Sequence, residues 1–300
     1  MIKSAIVVPY FGKWPEWFEL YLHSAANNPD LDIIFFSDIP LPANAPSNIQ
    51  YHYTTFKEYC GRVSEKLGID FHPDNPYKLC DLKPFYLYIH QDELKEYEYV
   101  GWGDIDLVYG KLDHFFTDEM MRRYKILSTH LDRFSGHFTL IKNSKEMIMK
   151  PFKIWRWKWI LENQKNYGLD ERLLTRYYTP LLILPRILKI RFGGKKITSL
   201  YKFLSRKLYP QYHFKEYHTT PFRSTNDYFY HNGQVNSSNG NELPYLHFLF
   251  FKKTQYDKSN KLYWKENFYQ IDSQNLLNND QIMINNKGIF PIKGKKEIKS

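Results

Sequence analysis

Between Val100 and Leu112 the chain reads VGWGDIDLVYGKL, and two aspartates one residue apart, Asp104 and Asp106, interrupt a run that is otherwise apolar and aromatic. The residues before them, Tyr97 to Trp102 (YEYVGW), have the aromatic and β-branched content of a strand. A carboxylate pair just past a strand sits where open α/β sheets bind ligands, outside the carboxyl ends of the strands. In locally extended chain the spacing of two directs both side chains to one side, so they can share a hard cation and the phosphate oxygens it binds. The competing account is a pair of Asx turns solvating a bend. The chain supplies a control in Asp30-Leu31-Asp32, which has the same spacing but precedes its strand, where no site is expected. Placement, more than spacing, favours a metal at Asp104 and Asp106.

Outward from this stretch the pattern is α/β. Ala5 to Val8 (AIVV) ends at Pro9, and Ile33 to Phe36 (IIFF) ends at Ser37-Asp38; both read as buried strands of parallel type. Trp14, Phe18, Tyr21, Leu22 and Ala25 between them have helical spacing, which gives a βαβ opening. A helix is expected from about Tyr77 through Leu94, with Pro84 in or near its first turn. The expected fold class is therefore α/β, a mostly parallel central sheet flanked by helices, with a basic helical insertion and a short C-terminal extension.

Three hundred residues with 43% hydrophobic content are enough for one large domain. Two cysteines, Cys60 and Cys80, make no disulfide framework and point to a reducing compartment. The apolar run before Pro9 is shorter than a signal peptide needs, and Leu181 to Ile190 is broken by Pro185 and Arg186 and falls below the roughly 20 residues of a membrane span. A cytoplasmic protein, soluble or peripheral on the inner face of the membrane, is expected. The net charge of +10 is local: between Glu171 and Glu216 there are eleven basic residues and no acidic one, which leaves the remainder at −1. That distribution, with no nucleic-acid-binding motif, argues against a nucleic-acid partner despite a pI near 9.2 and 18% aromatic residues. Within the segment Leu200, Phe203, Leu204 and Leu208 form one helical face while Lys202, Arg206 and Lys207 lie away from most of it, the pattern of an interfacial helix on an anionic membrane surface. The alternative is a helix packed on the domain with its lysines in water, and the eleven charges without a counter-charge favour the former.

The stretch YKLCDLKPFYLYIHQDELKEYEYVGWGDIDLVYGKLDHFF, with the opening VVPYFGKWPEWFELYLHSAANNP and IIFFSD, resembles the bacterial GT-A-type glycosyltransferases of capsule and surface-polysaccharide gene clusters. The likeness runs from the N-terminus to about Asn143, through SGHFTLIKN, and resumes at Leu243 to Lys253, LPYLHFLFFKK; residues 150–240 carry no matching motif. It implies a GT-A-like catalytic domain over 1–253, including the basic segment 172–215, followed by an extension over 254–300. It also implies that a divalent cation, manganese or magnesium, is held against the diphosphate of a nucleotide-sugar donor. Asp106 would coordinate it directly, Asp104 through water or by holding the donor's ribose, and His247 as a third ligand. The alternative for His247 is a satisfied histidine in an aromatic strand. Lys252 or Lys253 could then reach the diphosphate; the favoured alternative is that both are ordinary exposed lysines after a strand.

The remaining roles follow from strand ends and from the resemblance. Pro9, Tyr10 and Phe11 after the first strand and Asp38 after the second would form the nucleotide pocket, an aromatic face for the base and a carboxylate for the ribose. No glycine-rich phosphate loop is present, as expected where a cation neutralises the diphosphate. Lys78, Asp81 and Lys83 lie on the helix before the metal strand, and Asp81 would grip donor hydroxyls unless it forms a plain surface ion pair with Lys78. Gly136 and His137 would meet a saccharide or lipid-linked saccharide acceptor. Asp170 or Glu171 would act as general base in an inverting reaction, unless the two merely stabilise a helix start. In PFKIWRWKWI, Phe152, Trp155 and Trp159 have core spacing and Trp157 is the freer ring. A carbohydrate-binding module without catalysis leaves the aspartate pair unexplained, and a phosphohydrolase would place an aspartate after the first strand, where Pro9-Tyr10 stands.

Overall fold

The computed structural model describes residues 1–192, 194–221, 226–249, 251, 270–272 and 281–292. Its centre is a seven-stranded sheet made of β1 (Ser4–Pro9), β2 (Leu31–Ser37), β3 (Ile49–Tyr53), β4 (Tyr99–Gly103), β6 (Ile126–Ser128), β7 (Phe138–Lys142) and β8 (Tyr212–Phe214), in the order β3-β2-β1-β4-β7-β6-β8. β3, β2, β1 and β4 run parallel, β7 is antiparallel to both neighbours, and β8 is parallel to β6. The alternation of side chains along a strand divides the core in two. Val7, Ile34, Phe36 and Trp102 pack on one face with Val63 and Phe85, whereas Ile6, Val8, Ile33 and Phe35 pack on the other with Phe18, Tyr21 and Leu107. Both faces of the central strands are covered, which explains why their sequences read as unbroken apolar runs. A Cβ at Gly101 would come within 1.8 Å of the Thr139 carbonyl oxygen, so glycine is what lets β7 lie against β4.

A second sheet forms at one side from β9 (Tyr228–His231), β10 (Gln234–Ser237), β11 (Glu242–Leu243), β13 (Gln270–Ile271), β14 (Gln281–Asn285) and β15 (Gly288–Ile292), in the order β11-β10-β9-β14-β15-β13. The division expected at residue 253 therefore does not separate structural units: β14 pairs with β9 through Ile282↔Tyr230 and Ile284↔Tyr228. Val235, Ile284 and Ile289 share a core with Trp17, Leu20 and Phe248, which joins this sheet to the main body. Between the two lies a ribbon of β5 (Leu107–Tyr109) and β12 (Tyr245–His247).

The expected long helix over 77–94 is instead a 3-10 helix, Pro76–Phe85, followed by two short helices, Tyr86–Ile89 and Gln91–Leu94. Pro84 lies inside the first of these, where its missing N–H and its ring oppose an α-helical ladder. The basic segment holds the short helix Leu174–Tyr178, a 3-10 turn at Pro180–Leu182 and two longer helices, Ile183–Phe192 and Lys195–Leu208, before the chain returns to the sheet edge as β8. No helix among the described residues is long and apolar enough to cross a membrane.

Candidate active site

β1, β2 and β4 are parallel neighbours, so their carboxyl ends share one edge of the sheet, and β4 delivers Asp104 and Asp106 there. The loop carrying them is pinned by its backbone. The Asp104 N–H donates to the His137 carbonyl at 2.9 Å, and the Trp17 indole N–H donates to the Ile105 carbonyl at 3.0 Å. Antiparallel pairing of β12 with β5 sets His247 opposite Leu107 and hence beside Asp106. One ligand atom from each of Asp104, Asp106 and His247 lies within 4.8 Å of the others, and His247 Nε2 is 3.4 Å from Asp106 Oδ2. His247 Nδ1 is engaged by the Thr220 hydroxyl at 2.9 Å, while its Nε2 is buried without a hydrogen-bond partner. An imidazole held by its other nitrogen, with the free nitrogen turned toward carboxylates, fits a metal-ligand set. Two carboxylates and one imidazole suit a first-row ion such as manganese better than magnesium, which prefers oxygen and water throughout.

Lys83 joins this cluster to a second pair of carboxylates. Its buried ammonium donates to Asp104 Oδ1 at 2.6 Å and to the Gly136 carbonyl at 2.7 Å, and it reaches Asp170 Oδ2 at 3.5 Å. Burial disfavours its charge, but Asp104 and Asp170 outweigh that and hold Lys83 well above the ordinary lysine value. Burial pushes Asp170 up to about 7; Lys83 opposes the rise, and Glu171 and Asp104 add to it. A carboxyl group poised near neutral pH is what a general base needs. Gly136 is required here, since a Cβ would stand 2.8 Å from Asp170 Oδ2 and 2.9 Å from Glu171 Oε1, and its N–H donates to Glu171 Oε1 at 3.2 Å. His137 stacks on His247 with ring centres 4.1 Å apart and shares a hydrogen bond of 3.0 Å with the Ser135 hydroxyl. Burial, then the neighbouring His247 and His130, hold His137 well below the ordinary histidine range, so it is a neutral ring under the site.

Sequence reasoning thus brought together Asp104, Asp106, His247, Lys83, Gly136, His137, Asp170 and Glu171. It missed Thr220, which orients His247, and His130, whose ring meets His137 edge-on at 5.2 Å. The seven-residue interval between His130 and His137 in STHLDRFSGHF was a signal left unread. His130, His137 and Glu171 also lie close enough to hold an ion, but Arg133 already stands among them, 3.3 Å from His130 Nε2 and 3.8 Å from Glu171 Oε2.

Other expectations change. Lys78 and Asp81 form neither a sugar clamp nor a surface pair: both are buried, 2.9 Å apart, and Asp81 also accepts the Tyr167 and Leu169 N–H groups at 2.9 and 2.8 Å. Asp81 thus anchors the loop that presents Asp170. At the ends of β1 and β2, Tyr10 stacks on Trp14, Phe11 leans on Phe56 and Tyr59, and Asp38 accepts the Gly12 N–H at 3.1 Å. Pro9, Tyr10, Phe11 and Asp38 are each partly accessible on the edge that carries Asp104. Trp155 is 80% exposed and Trp159 44%, while Trp157 packs against Phe85 and Phe152, the reverse of the expected order. Lys252 and Lys253 lie outside the described residues.

A family model described as a family of unknown function (DUF6625) matches residues 6–280. No curated protein matches the chain. Among solved structures, the apo-form glycosyltransferase GlyE of Streptococcus pneumoniae TIGR4 is matched over 61% of this chain with 11% identity and a TM-score of 0.33. The chain spans less than half of that protein's length, 43%.

Proposed function

The chain belongs to the DUF6625 family, and for this member we propose metal-dependent glycosyl transfer, of GT-A type, from a nucleotide-sugar donor to a saccharide acceptor. The observation that carries the reading is the set of Asp104, Asp106 and His247 at the carboxyl edge of a parallel sheet, Asp106 and His247 buried and Asp104 partly exposed, with His247 Nε2 lacking any hydrogen bond. Asp106 and His247 would hold a divalent cation, with Asp104 beside it. Such an ion supplies charge to the diphosphate leaving group as the glycosidic bond breaks.

The chain's own groups do the rest. Lys83 fixes Asp104 by a charge-assisted hydrogen bond and adds positive charge on the leaving-group side. Tyr10 and Asp38, on the same sheet edge, offer a ring face and a carboxylate to the nucleoside. Asp170, near neutrality and set back by Gly136, takes the proton of the acceptor hydroxyl in an inverting reaction, and His137 remains a neutral support for His247. The purified protein, given Mn2+ and a panel of nucleotide sugars without acceptor, should release nucleoside diphosphate slowly to water and stop when the ion is chelated. Failure with every uridine, guanosine and thymidine diphosphate sugar would contradict the reading.

A further inference from the structure

Ten of the fifteen exposed large hydrophobic side chains among the described residues lie between Leu181 and Leu208, nine of them on the helices Ile183–Phe192 and Lys195–Leu208 and Leu181 on the turn just before them. In Ile183–Phe192 the exposure is nearly all-round: Leu184 is 65% exposed, Ile190 72%, and no residue of the helix is buried. In Lys195–Leu208 the side facing the protein is marked by buried Tyr201 and Ser205, and Leu200 and Phe203 project from the opposite side, 54% and 60% exposed. A helix that leaves this much apolar surface uncovered has a partner or a non-aqueous phase on that side. Its charge decides which. Among the exposed residues of the same surface are Arg191, Lys195, Lys196, Lys202, Arg206 and Lys207, with no acidic residue anywhere from Arg172 to Lys215. Two copies pressed together through this face would repel; an anionic lipid leaflet offers both the apolar phase and the counter-charge.

The helical pair is not a loose appendage. Arg186 Nε donates to the Asp132 carbonyl at 2.9 Å, and Lys189 Nζ to Asp132 Oδ2 at 2.6 Å. The Tyr201 hydroxyl also reaches the Asp132 carbonyl, at 3.5 Å. Asp132 lies on the loop between His130 and Gly136, the loop that lines the candidate site. We propose that the helices Ile183–Phe192 and Lys195–Leu208 form a docking surface for an anionic lipid leaflet, and that this clamp holds the acceptor side of the site at the membrane. The lipid docking stands on exposure and charge alone; the inference that the acceptor is a lipid-linked saccharide rests on the glycosyl-transfer reading.

The test is co-sedimentation of the full chain with vesicles of phosphatidylcholine alone or mixed with phosphatidylglycerol, without donor or acceptor, across a salt titration. Mixed vesicles at low salt should bind the protein at least about tenfold better than neutral ones, and salt should release it. Replacing Lys195, Lys196, Lys202, Arg206 and Lys207 by Gln should abolish the preference. The exposed-surface variant Ile187→Ser, Ile190→Ser, Leu200→Ser, Phe203→Ser should weaken binding by a similar factor, with wild-type thermal unfolding confirming that the fold survives. Wild type that ignores anionic vesicles overturns the proposal, as do variants that sediment like wild type. So does a salt-resistant dimer that the serine variant dissolves. Because no substrate is present, failure here leaves glycosyl transfer untouched, and failure of donor hydrolysis leaves lipid docking standing.

Discussion

Lys83→Met removes the ammonium that bridges the two carboxylate pairs, and its cost can be worked from the contacts. The side chain of Lys83 is only 7% exposed; those of Asp104 and Asp170 are 34% and 11% exposed. Breaking a buried ion pair from one side typically costs about 3–5 kcal/mol. Asp104 is a third exposed and regains some water, which lowers its part. The Gly136 carbonyl loses its donor at 2.7 Å, worth about 1 kcal/mol. With the discount for Asp104 the sum is about 3–5 kcal/mol at pH 8. Below pH 7 the carboxyl group of Asp170, which titrates at about 7, is neutral and no longer needs the lysine, so the loss should shrink at pH 6. Urea unfolding followed by circular dichroism at both pH values reads this directly. Adding Asp170→Asn to Lys83→Met should restore part of the stability at pH 8. A loss under about 1 kcal/mol at pH 8, or one that does not depend on pH, would refute the ion-bridge reasoning.

Asp170→Asn alone should remove acceptor transfer and yet stabilise the protein in alkali. Because the folded value of Asp170 is raised above that of the unfolded chain, the stability it contributes is complete below about pH 4 and lost as pH rises through about 7, so the amide should be the more stable form at pH 8, by about 1–4 kcal/mol, and not at pH 4. In the wild type the transfer rate should fall as pH drops through about 7; a flat profile would remove Asp170 from the role of base. Gly136→Ala should leave stability within about 1 kcal/mol, since the atoms its Cβ meets are movable carboxylate ends, but should cut transfer at least about tenfold by displacing them, as steady-state kinetics would record. Asp32→Asn, at the amino end of β2 with Lys3 at 2.6 Å and the Tyr97 hydroxyl at 2.5 Å, should cost about 1–2 kcal/mol in thermal unfolding and leave transfer within a few-fold of wild type.

What the sequence made legible was local. The apolar runs at Ala5–Val8 and Ile33–Phe36 mark buried strands because both their faces are covered, and Asp104 and Asp106 stand out because they interrupt a stretch that is otherwise apolar and aromatic on both sides. What escaped depends on chain brought from afar. The partner of β5 is β12, and only that pairing sets His247 against Asp106; without the family resemblance nothing in YLHFLFF names it a ligand. The pairing of β14 with β9 is equally non-local, which is why 281–292 was assigned to an extension. Lys78 and Asp81 went astray because a spacing of three specifies a shared face without saying whether that face meets water or the core. The tryptophans went astray through phase: Arg156 takes a left-handed conformation at φ 58°, the helix begins only at Trp157, and periodicity counted from Phe152 no longer applies.

The central claim is that Asp104, Asp106 and His247 hold a divalent cation that in turn holds a nucleoside diphosphate. Isothermal titration of Mn2+ into the wild type, Asp106→Asn and His247→Ala, each alone and with uridine or guanosine diphosphate, tests it most directly. One ion per wild-type chain, tighter when the diphosphate is present, lost in Asp106→Asn and weakened at least about tenfold in His247→Ala, is the expected result. A wild type that binds no Mn2+ under either condition, or variants that bind it as the wild type does, would contradict the assignment.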